Sequence, residues 1–455
     1  MKIKFICFKR IFKIILSLAL TFGILSFSGF EAYAESLDVE GYIESELMAM
    51  ADKINILNYS VKSSELANIL NHILKSSPWL FFVESSFSYD LNSCGIVANL
   101  YPKYTMDHKT RAEAFELCDY ELEKMLFYMP YGMSEFDCAL YLHDYICMNF
   151  DYDEKYESGD MYSMLKNKVG TCQGYTYLFL ELAFRVGLEC DVVYSDPMRH
   201  IWNVVKIDGE WYHIDLTWDD GDSFCKVLHK RFLFSDDEAK GSGYYSYTVG
   251  NGVECTSEKY SGEYLSHINT AMAYIDGEWY ACDNSAQGRS VVIYNEDIDV
   301  AEGVIDIDGY WIADGSYIYA NSFSSAVSVF GDLYFNTKNK IYRYSDGELF
   351  KVYSSVDEKQ IYYLSTDGKN IYFSLSQSGD EIDSISVSAN GDVNKDGKIN
   401  LLDIVSLSQA LEYNDFSKII KMRADTSGDA SIDEDDAKIL REMLIGLKID
   451  KTPSV

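Results

Sequence analysis

Three residues near the middle of the chain have the types and spacing for nucleophilic chemistry: Cys172, His200 and Asp215. Cys172 lies in Val169-Gly170-Thr171-Cys172-Gln173-Gly174-Tyr175, directly before an apolar helical run. A thiol at a helix N-terminus has its thiolate stabilised by the dipole and by free backbone N–H groups, which makes it a nucleophile near neutral pH. Cysteine is also a common buried structural residue, but a glycine-flanked helix start favours the nucleophile. His200 and Asp215 sit on either side of Asp208-Gly209, a pair that favours a two-residue type I′ hairpin turn. That turn places His200 opposite Thr217 and Asp215 opposite Trp202, so His200 and Asp215 become diagonal neighbours on one face. An imidazole that takes the thiol proton, held by a carboxylate, completes a base-plus-orienter pair. The other face carries Ile201, Val205, Ile207, Tyr212, Ile214 and Leu216 and is expected to be core. His143, His213 and His229 are alternative bases. His143 falls in a helical segment where it packs or orients, and His213 shares the active face. An oxyanion site needs the Cys172 N–H and a second donor; no glutamine precedes Cys172 between residues 35 and 171, so that donor is not a glutamine upstream.

A second constellation lies near the C-terminus. Asp392, Asn394, Asp396, Asn400 and Asp403 put side-chain oxygens at loop positions 1, 3, 5, 9 and 12, with Gly397 at 6 and the Lys398 carbonyl at 7. Hard calcium takes such an oxygen set. The pattern returns 33 residues later as Asp425, Ser427, Asp429, Ser431, Asp433 and Asp436. Each loop precedes an apolar-periodic helix, so two calcium ions are expected. Ala430 replaces the glycine of position 6, which strains that turn and weakens the second site.

The elements that must position these groups follow from periodicity. Residues 40–150 read as mostly helical, with helices near 42–54, 64–74 and 111–128. Ser134 and Asp137 form a capping box that opens another helix, and 79–83 reads as a buried strand. A helix runs from Cys172 to Gly187, where glycine suits a left-handed cap. Strands are expected at 190–194, 200–207 and 210–217. Residues 241–388 are rich in Tyr, Ser, Gly and Asp, with recurring turn-plus-aromatic units such as Asp276-Gly277-Glu278-Trp279-Tyr280, Asp308-Gly309-Tyr310-Trp311 and Asp367-Gly368. These read as short hairpins, for which a propeller-like array is one arrangement. Their aromatics are more readily core than a carbohydrate platform, although cell-wall carbohydrate is a candidate ligand.

Composition bounds the rest. With 455 residues, 47% hydrophobic and 15% aromatic, the chain can bury more than one core. Lys2, Lys4, Lys9, Arg10 and Lys13 precede an apolar stretch and Ala32-Tyr33-Ala34, the layout of a signal peptide cleaved after Ala34. The formal charge of −33 argues against nucleic-acid or anionic-lipid partners, and no further stretch is apolar enough to span a membrane. A secreted, extracellular protein is expected. Of ten cysteines, Cys7 leaves with the signal, and the remainder show no regular disulfide framework.

Residues 134–237 resemble bacterial transglutaminase-like proteins in four linked motifs: His143-Asp144-Tyr145, Cys172-Gln173-Gly174-Tyr175, His200-Ile201-Trp202-Asn203, and Gly209-Glu210-Trp211 through Asp215-Leu216-Thr217-Trp218-Asp219-Asp220. The resemblance implies an α+β, papain-like core with Cys172, His200 and Asp215 as a triad, acting on protein or peptide amides or esters. Its members hydrolyse or cross-link, and some have no known activity. Residues 391–447 resemble type I dockerins, which bind cohesin modules of cellulosome scaffolds. That resemblance implies partner contacts at loop positions 10 and 11, Leu401 and Leu402 in one half and Glu434 and Asp435 in the other. The expected layout is therefore multidomain: signal peptide 1–34, helical lead-in 35–133, transglutaminase-like core 134–240, β-rich region 241–388 and a small helical dockerin at 389–450. Two function classes fit: a thiol enzyme of a polysaccharide-degrading complex, and a catalytically silent binding protein of the same complex. No carboxylate pair marks a glycosidase.

Overall fold

The computed structural model describes residues 38–445, except 222–225, 284–289, 298, 308–309, 314–315, 320–322, 346, 388–390, 397 and 417–418. The expected signal peptide, the dockerin tail beyond 445 and Gly397 thus lie outside the described residues, as do parts of several turn units, including Asp308-Gly309.

The lead-in comprises α1 (Val39–Met48), β1 (Ile54–Asn55), α2 (Ser63–Ser76), β2 (Ser88–Leu91), β3 (Val97–Tyr101) and α3 (His108–Phe127). The first helix is shorter than its periodicity suggests: Met50 takes a left-handed φ of 57° and Ile54 pairs with Leu100 in a small sheet. The strand expected at 79–83 is also absent. Pro78 instead starts a 3₁₀ turn, and Trp79 donates its indole N–H to Glu181 at 3.0 Å while Phe81 and Phe82 pack on Phe115. Bulky apolar side chains need burial, and here a turn supplies it; only Val83 bridges to another segment, at Tyr104.

The central unit follows the expected order. Helix α4 (Glu135–Asn149) opens on the Ser134 capping box, with Asp137 N–H donating to Ser134 Oγ at 3.0 Å and the Asp137 carboxylate accepting from Ser134 N–H at 2.9 Å. Then come β4 (Asp151–Tyr152), α5 (Met161–Asn167), β5 (Val169–Gly170), α6 (Cys172–Val186), β6 (Cys190–Ser195), β7 (His200–Ile207) and β8 (Glu210–Ile214). Helix α6 ends on Gly187 at φ 89°, a value that suits glycine. Asp208 and Gly209 both have positive φ, 52° and 88°, as a type I′ turn requires, and β7 pairs with β8 in the expected register, Ile207 with Glu210 and Asn203 with Ile214. Beyond Ile214 the strand does not continue: α7 (Leu216–Asp219) begins, with α8 (Asp236–Gly241) and β9 (Thr248–Val249) behind it. The sheet order is β8-β7-β6-β9, all antiparallel. Ile201, Val205, Ile207, Tyr212, Ile214 and Leu216 join Leu178, Phe179, Leu182 and Ala183 of α6 in one core. This is a mixed α/β core, with α6 packed on an antiparallel sheet.

After α9 (Glu263–His267) the chain forms antiparallel meanders: β10 (Ala273–Ile275) to β13 (Val300–Asp306), the pair β14 (Tyr310–Ala313) and β15 (Ser316–Tyr319), β16 (Ala326–Val329) to β19 (Glu348–Ser354), and β20 (Tyr362–Thr366) to β22 (Ile382–Ser386). Strands β10, β16 and β20 lie successively against one another. Trp279, Trp311, Phe335 and Phe373 are all buried, the core role that alternation assigns them. The C-terminal unit is helical: α10 (Leu401–Tyr413), α11 (Lys421–Ala424) and α12 (Glu434–Leu444), the first and last each starting from a side-chain cap, Asn400 and Asp433. Among the described residues no helix is long and apolar enough to cross a membrane.

Candidate functional site

Cys172 is the first residue of α6 and is partly exposed, whereas the helix behind it is almost wholly buried. Its flanking glycines make room for Met164: a Cβ on Gly170 would lie 2.5 Å from Met164 Sδ, and one on Gly174 would lie 2.9 Å from the same atom, so that side chain would have to move. The short parallel pairing of β4 with β5 sets Tyr152 opposite Gly170, next to the cysteine. Burial, a hydrogen bond with Tyr156 and the Cys172 charge together push the Tyr152 phenol up to about 12.

His200 begins β7 and faces Asp215 across the end of the hairpin, with 2.6 Å between His200 Nε2 and Asp215 Oδ2 and side chains only 8% and 0% exposed. Nδ1 is the ring nitrogen left for the thiol, and Cys172 is near enough to favour the charged imidazole. Burial alone would depress the imidazole, but the Asp215 carboxylate more than reverses this and, with Cys172, raises it to about 10. The ring is sandwiched between Trp202 and Trp218, with centroids 5.4 and 5.1 Å away and interplanar angles of 20° and 13°. Asp215 is fixed in turn: Oδ1 accepts from Thr217 N–H at 3.1 Å as the cap of α7, and Oδ2 accepts from the Tyr244 hydroxyl at 2.7 Å. A thiol, an imidazolium-supporting carboxylate and an aromatic box with a buried Trp202 wall and a 39% exposed Trp218 wall can together generate and hold a thiolate–imidazolium pair.

Tyr244 and the stacking role of Trp218 are additions to the sequence reading. Trp218 follows Asp215 by three residues, the spacing that brings it back over His200 once α7 forms. Tyr244 comes from beyond α8 and carries no local signal.

The other histidines are committed elsewhere. His213 Nε2 meets Asp236 at 3.0 Å and Nδ1 accepts from Trp202 Nε1 at 3.1 Å, while burial lowers its pKa. His143 Nδ1 meets Asp144 at 2.8 Å and its Nε2 meets Asp219 at 3.3 Å. Burial opposes its charge, but the two carboxylates raise it to about 9. His229 joins Asp144 at 2.9 Å and the Ile268 carbonyl at 3.0 Å. His143, Asp144 and His229 have the spacing of a metal trio, yet both histidines already converge on the same Asp144 oxygen, Oδ1. The network braces α7, through Asp219, against α4.

In the C-terminal loops, Asp392 accepts from Asp396 N–H at 3.0 Å, and Asp403 accepts from Asn394 and Asn400 N–H at 3.2 and 2.7 Å. The second loop repeats the pattern: Asp425 accepts from Gly428 and Ala430 N–H at 2.6 and 3.0 Å, and Asp436 from Ser427 and Asp433 N–H at 2.8 and 2.9 Å. Asp425 and Asp436 are both fully buried, and burial together with the Asp425 charge pushes the Asp436 carboxyl up. Buried carboxylates at the first and last positions of each loop suit a hard divalent cation, to which Asn394, Asp396, the Lys398 carbonyl, Asn400, Ser427, Asp429, Ser431 and Asp433 would add oxygens. Ala430 has a φ of 61°, the left-handed value expected to strain a residue with a Cβ. Leu401 and Leu402 are 73% and 58% exposed, and Glu434 and Asp435 are also exposed.

Residues 130–216 match the Transglutaminase-like superfamily and residues 390–445 match the Dockerin type I domain. The chain therefore carries a transglutaminase-like domain and a type I dockerin domain. It is similar to the Kyphoscoliosis peptidase of Homo sapiens, 24% identical over 114 residues, covering 21% of this chain and 17% of that protein. The Mus musculus protein of the same name is 25% identical over 114 residues, with the same coverage. The chain thus spans about a sixth of the length of these curated relatives. A solved crystal structure of a TGase aligns at 15% identity and a TM-score of 0.21, over 34% of this chain and 48% of that one.

Proposed function

We propose that this protein is a secreted thiol enzyme that forms an acyl-enzyme on Cys172 from a protein or peptide amide, and that its dockerin mounts it on a cohesin-bearing scaffold in a calcium-dependent way. The observation that carries the enzymatic reading is the 2.6 Å contact of His200 with Asp215, together with a thiol on the first residue of α6. His200 takes the Cys172 proton, and the thiolate attacks the carbonyl carbon. The tetrahedral oxyanion is met by the Cys172 N–H and a second donor beside it. His200 then returns the proton to the leaving amine. Water discharges the acyl group as an acid, and a primary amine discharges it as a new amide.

In the dockerin, Asp392, Asn394, Asp396, Lys398, Asn400 and Asp403 would hold one calcium ion, and Asp425, Ser427, Asp429, Ser431, Asp433 and Asp436 a second. The ions would fix the two loops against α10 and α12. Leu401 and Leu402, with Glu434 and Asp435, would meet the cohesin. The buried carboxylates of both loops support this reading.

The test uses residues 35–455 and a Cys172→Ala control, incubated with a casein-type protein and a labelled primary amine. Amine incorporation that vanishes in the control identifies a transferase, and new peptide ends that vanish identify a protease. If neither signal depends on Cys172, the enzymatic reading is wrong.

A further inference from the structure

The dockerin is not held to the rest of the chain by its linker alone. Arg423 of α11 is 3% exposed and makes three hydrogen bonds: Nε to the Phe330 carbonyl at 2.9 Å, Nη2 to Asp332 at 3.1 Å and Nη1 to Asp392 Oδ2 at 3.0 Å. Phe330 and Asp332 belong to the β16–β17 hairpin, whereas Asp392 opens the first calcium loop. Around this guanidinium Met422 packs with Tyr128, Val327, Val329 and Phe330, and Lys421 lies over the rings of Phe127 and Tyr131 at 5.7 and 4.6 Å. Tyr128 donates its hydroxyl to Asp425 Oδ2 at 3.0 Å, and Lys395 pairs with Asp276. The first ligand of each loop is thus also a contact of the seated dockerin.

The two loops differ in one respect. Among the described residues no basic side chain pairs with Asp425 or Asp436, whereas Asp392 has a buried guanidinium on it. A calcium ion in the first loop needs an oxygen of Asp392. Oδ1 is engaged by Asp396 N–H and Oδ2 by Arg423. The ion must therefore displace Arg423 or accept a second positive charge on the same carboxylate, in a site too buried for solvent to screen the repulsion. Loss of that contact weakens the bridge to Asp332.

We propose that calcium binding to the first dockerin loop and seating of the dockerin on the β16–β17 hairpin oppose each other through Arg423, so that calcium releases the dockerin from its own chain. This rests on the calcium reading given above. Linkage is reciprocal: whatever weakens seating must tighten calcium at that loop.

The test is a calorimetric calcium titration of residues 35–455 as wild type, Arg423→Gln and Asp332→Asn, with the radius of gyration measured by solution X-ray scattering before and after calcium. Arg423→Gln is expected to tighten one of two sites by about tenfold, a coupling of ordinary size, and to leave the other unchanged. Asp332→Asn touches no calcium ligand and is expected to tighten the same site by a smaller factor, which decides the matter if Arg423→Gln harms folding. Calcium should enlarge the wild type, while Arg423→Gln should be extended without it. Unchanged affinity in both variants, or a wild-type radius that ignores calcium, overturns the proposal. Absence of any calcium binding in the wild type overturns the calcium reading itself and this proposal with it.

Discussion

Asp215→Asn tests the charge logic of the site with little change of shape, because an asparagine Oδ1 can still accept from Thr217 N–H. The Asp215 carboxylate, as the larger of two contributions beside Cys172, lifts His200 from 6.5 to about 10 against the opposing effect of burial. That difference corresponds to on the order of 5 kcal/mol of preference for the imidazolium. The ring is 8% exposed, so solvent screens little of it. If water entering the neutralised site restores half, about 2.5 kcal/mol is lost, which lowers the thiolate–imidazolium population roughly a hundredfold. The assay is the rate of iodoacetamide alkylation at pH 7, followed by mass spectrometry on the Cys172 peptide. Counting that peptide alone keeps other thiols out, and Cys118, Cys138, Cys147, Cys255 and Cys282 are in any case buried, with burial pushing each thiol up. A Cys172 rate in Asp215→Asn within about threefold of wild type, with circular dichroism unchanged, would refute the ion-pair account.

Stability should fall on the alkaline side. His143 is raised to about 9 in the fold against 6.5 unfolded, so its contribution is complete below 6.5 and disappears as pH rises through about 9. The contribution is on the order of 3 kcal/mol, and His143→Gln should show a correspondingly smaller loss between pH 6 and pH 10 in urea unfolding. Ala430→Gly relieves a left-handed residue and should stabilise the second loop by about 1 kcal/mol, seen as roughly fivefold tighter calcium binding there. Tyr244→Phe removes one of two donors from Asp215 Oδ2 and should cost about 1–2 kcal/mol of stability in urea unfolding, with intact α6 and β7 by circular dichroism. Replacing Leu401 and Leu402 with Asp should abolish capture by an immobilised cohesin in calcium and leave helicity unchanged; undiminished capture would move the contact away from those positions.

What could be read locally in the sequence is what local physics decides. The Ser134 box, the Gly187 cap and the Asp208-Gly209 turn each depend on residues within a turn of one another, and the hairpin register follows from that turn alone. Both acidic loops are legible for the same reason, since their oxygen-bearing residues recur within twelve residues. The errors arise where a segment finds a distant partner. Trp79 turns away from strand geometry because Glu181, a residue of the buried α6, accepts its N–H. Tyr244 reaches Asp215 from 29 residues away, and Arg423 reaches Asp332 from 91; no periodicity encodes either distance.

The early end of β8 shows how such a partner can leave the site intact while changing its construction. His213 exchanges backbone hydrogen bonds with Phe234 at 2.9 and 3.0 Å, and Asp215 N–H donates to the Arg231 carbonyl at 2.9 Å. The segment 231–234 thus captures the end of the strand on the side away from β7, and Asp215 leaves the ladder that was expected to carry it. Had it stayed in the ladder it would have faced His200 only as a diagonal neighbour, at a separation that suits long side chains better than a short carboxylate. Turning out of the strand to cap α7 brings the carboxylate to 2.6 Å and folds Trp218 back over the imidazole. The same turn sets Asp219 against His143. Helix α7 is therefore the piece through which the buried α4 network and the His200–Asp215 pair share one backbone, which is why a residue as remote from the thiol as His143 bears on the stability of the site.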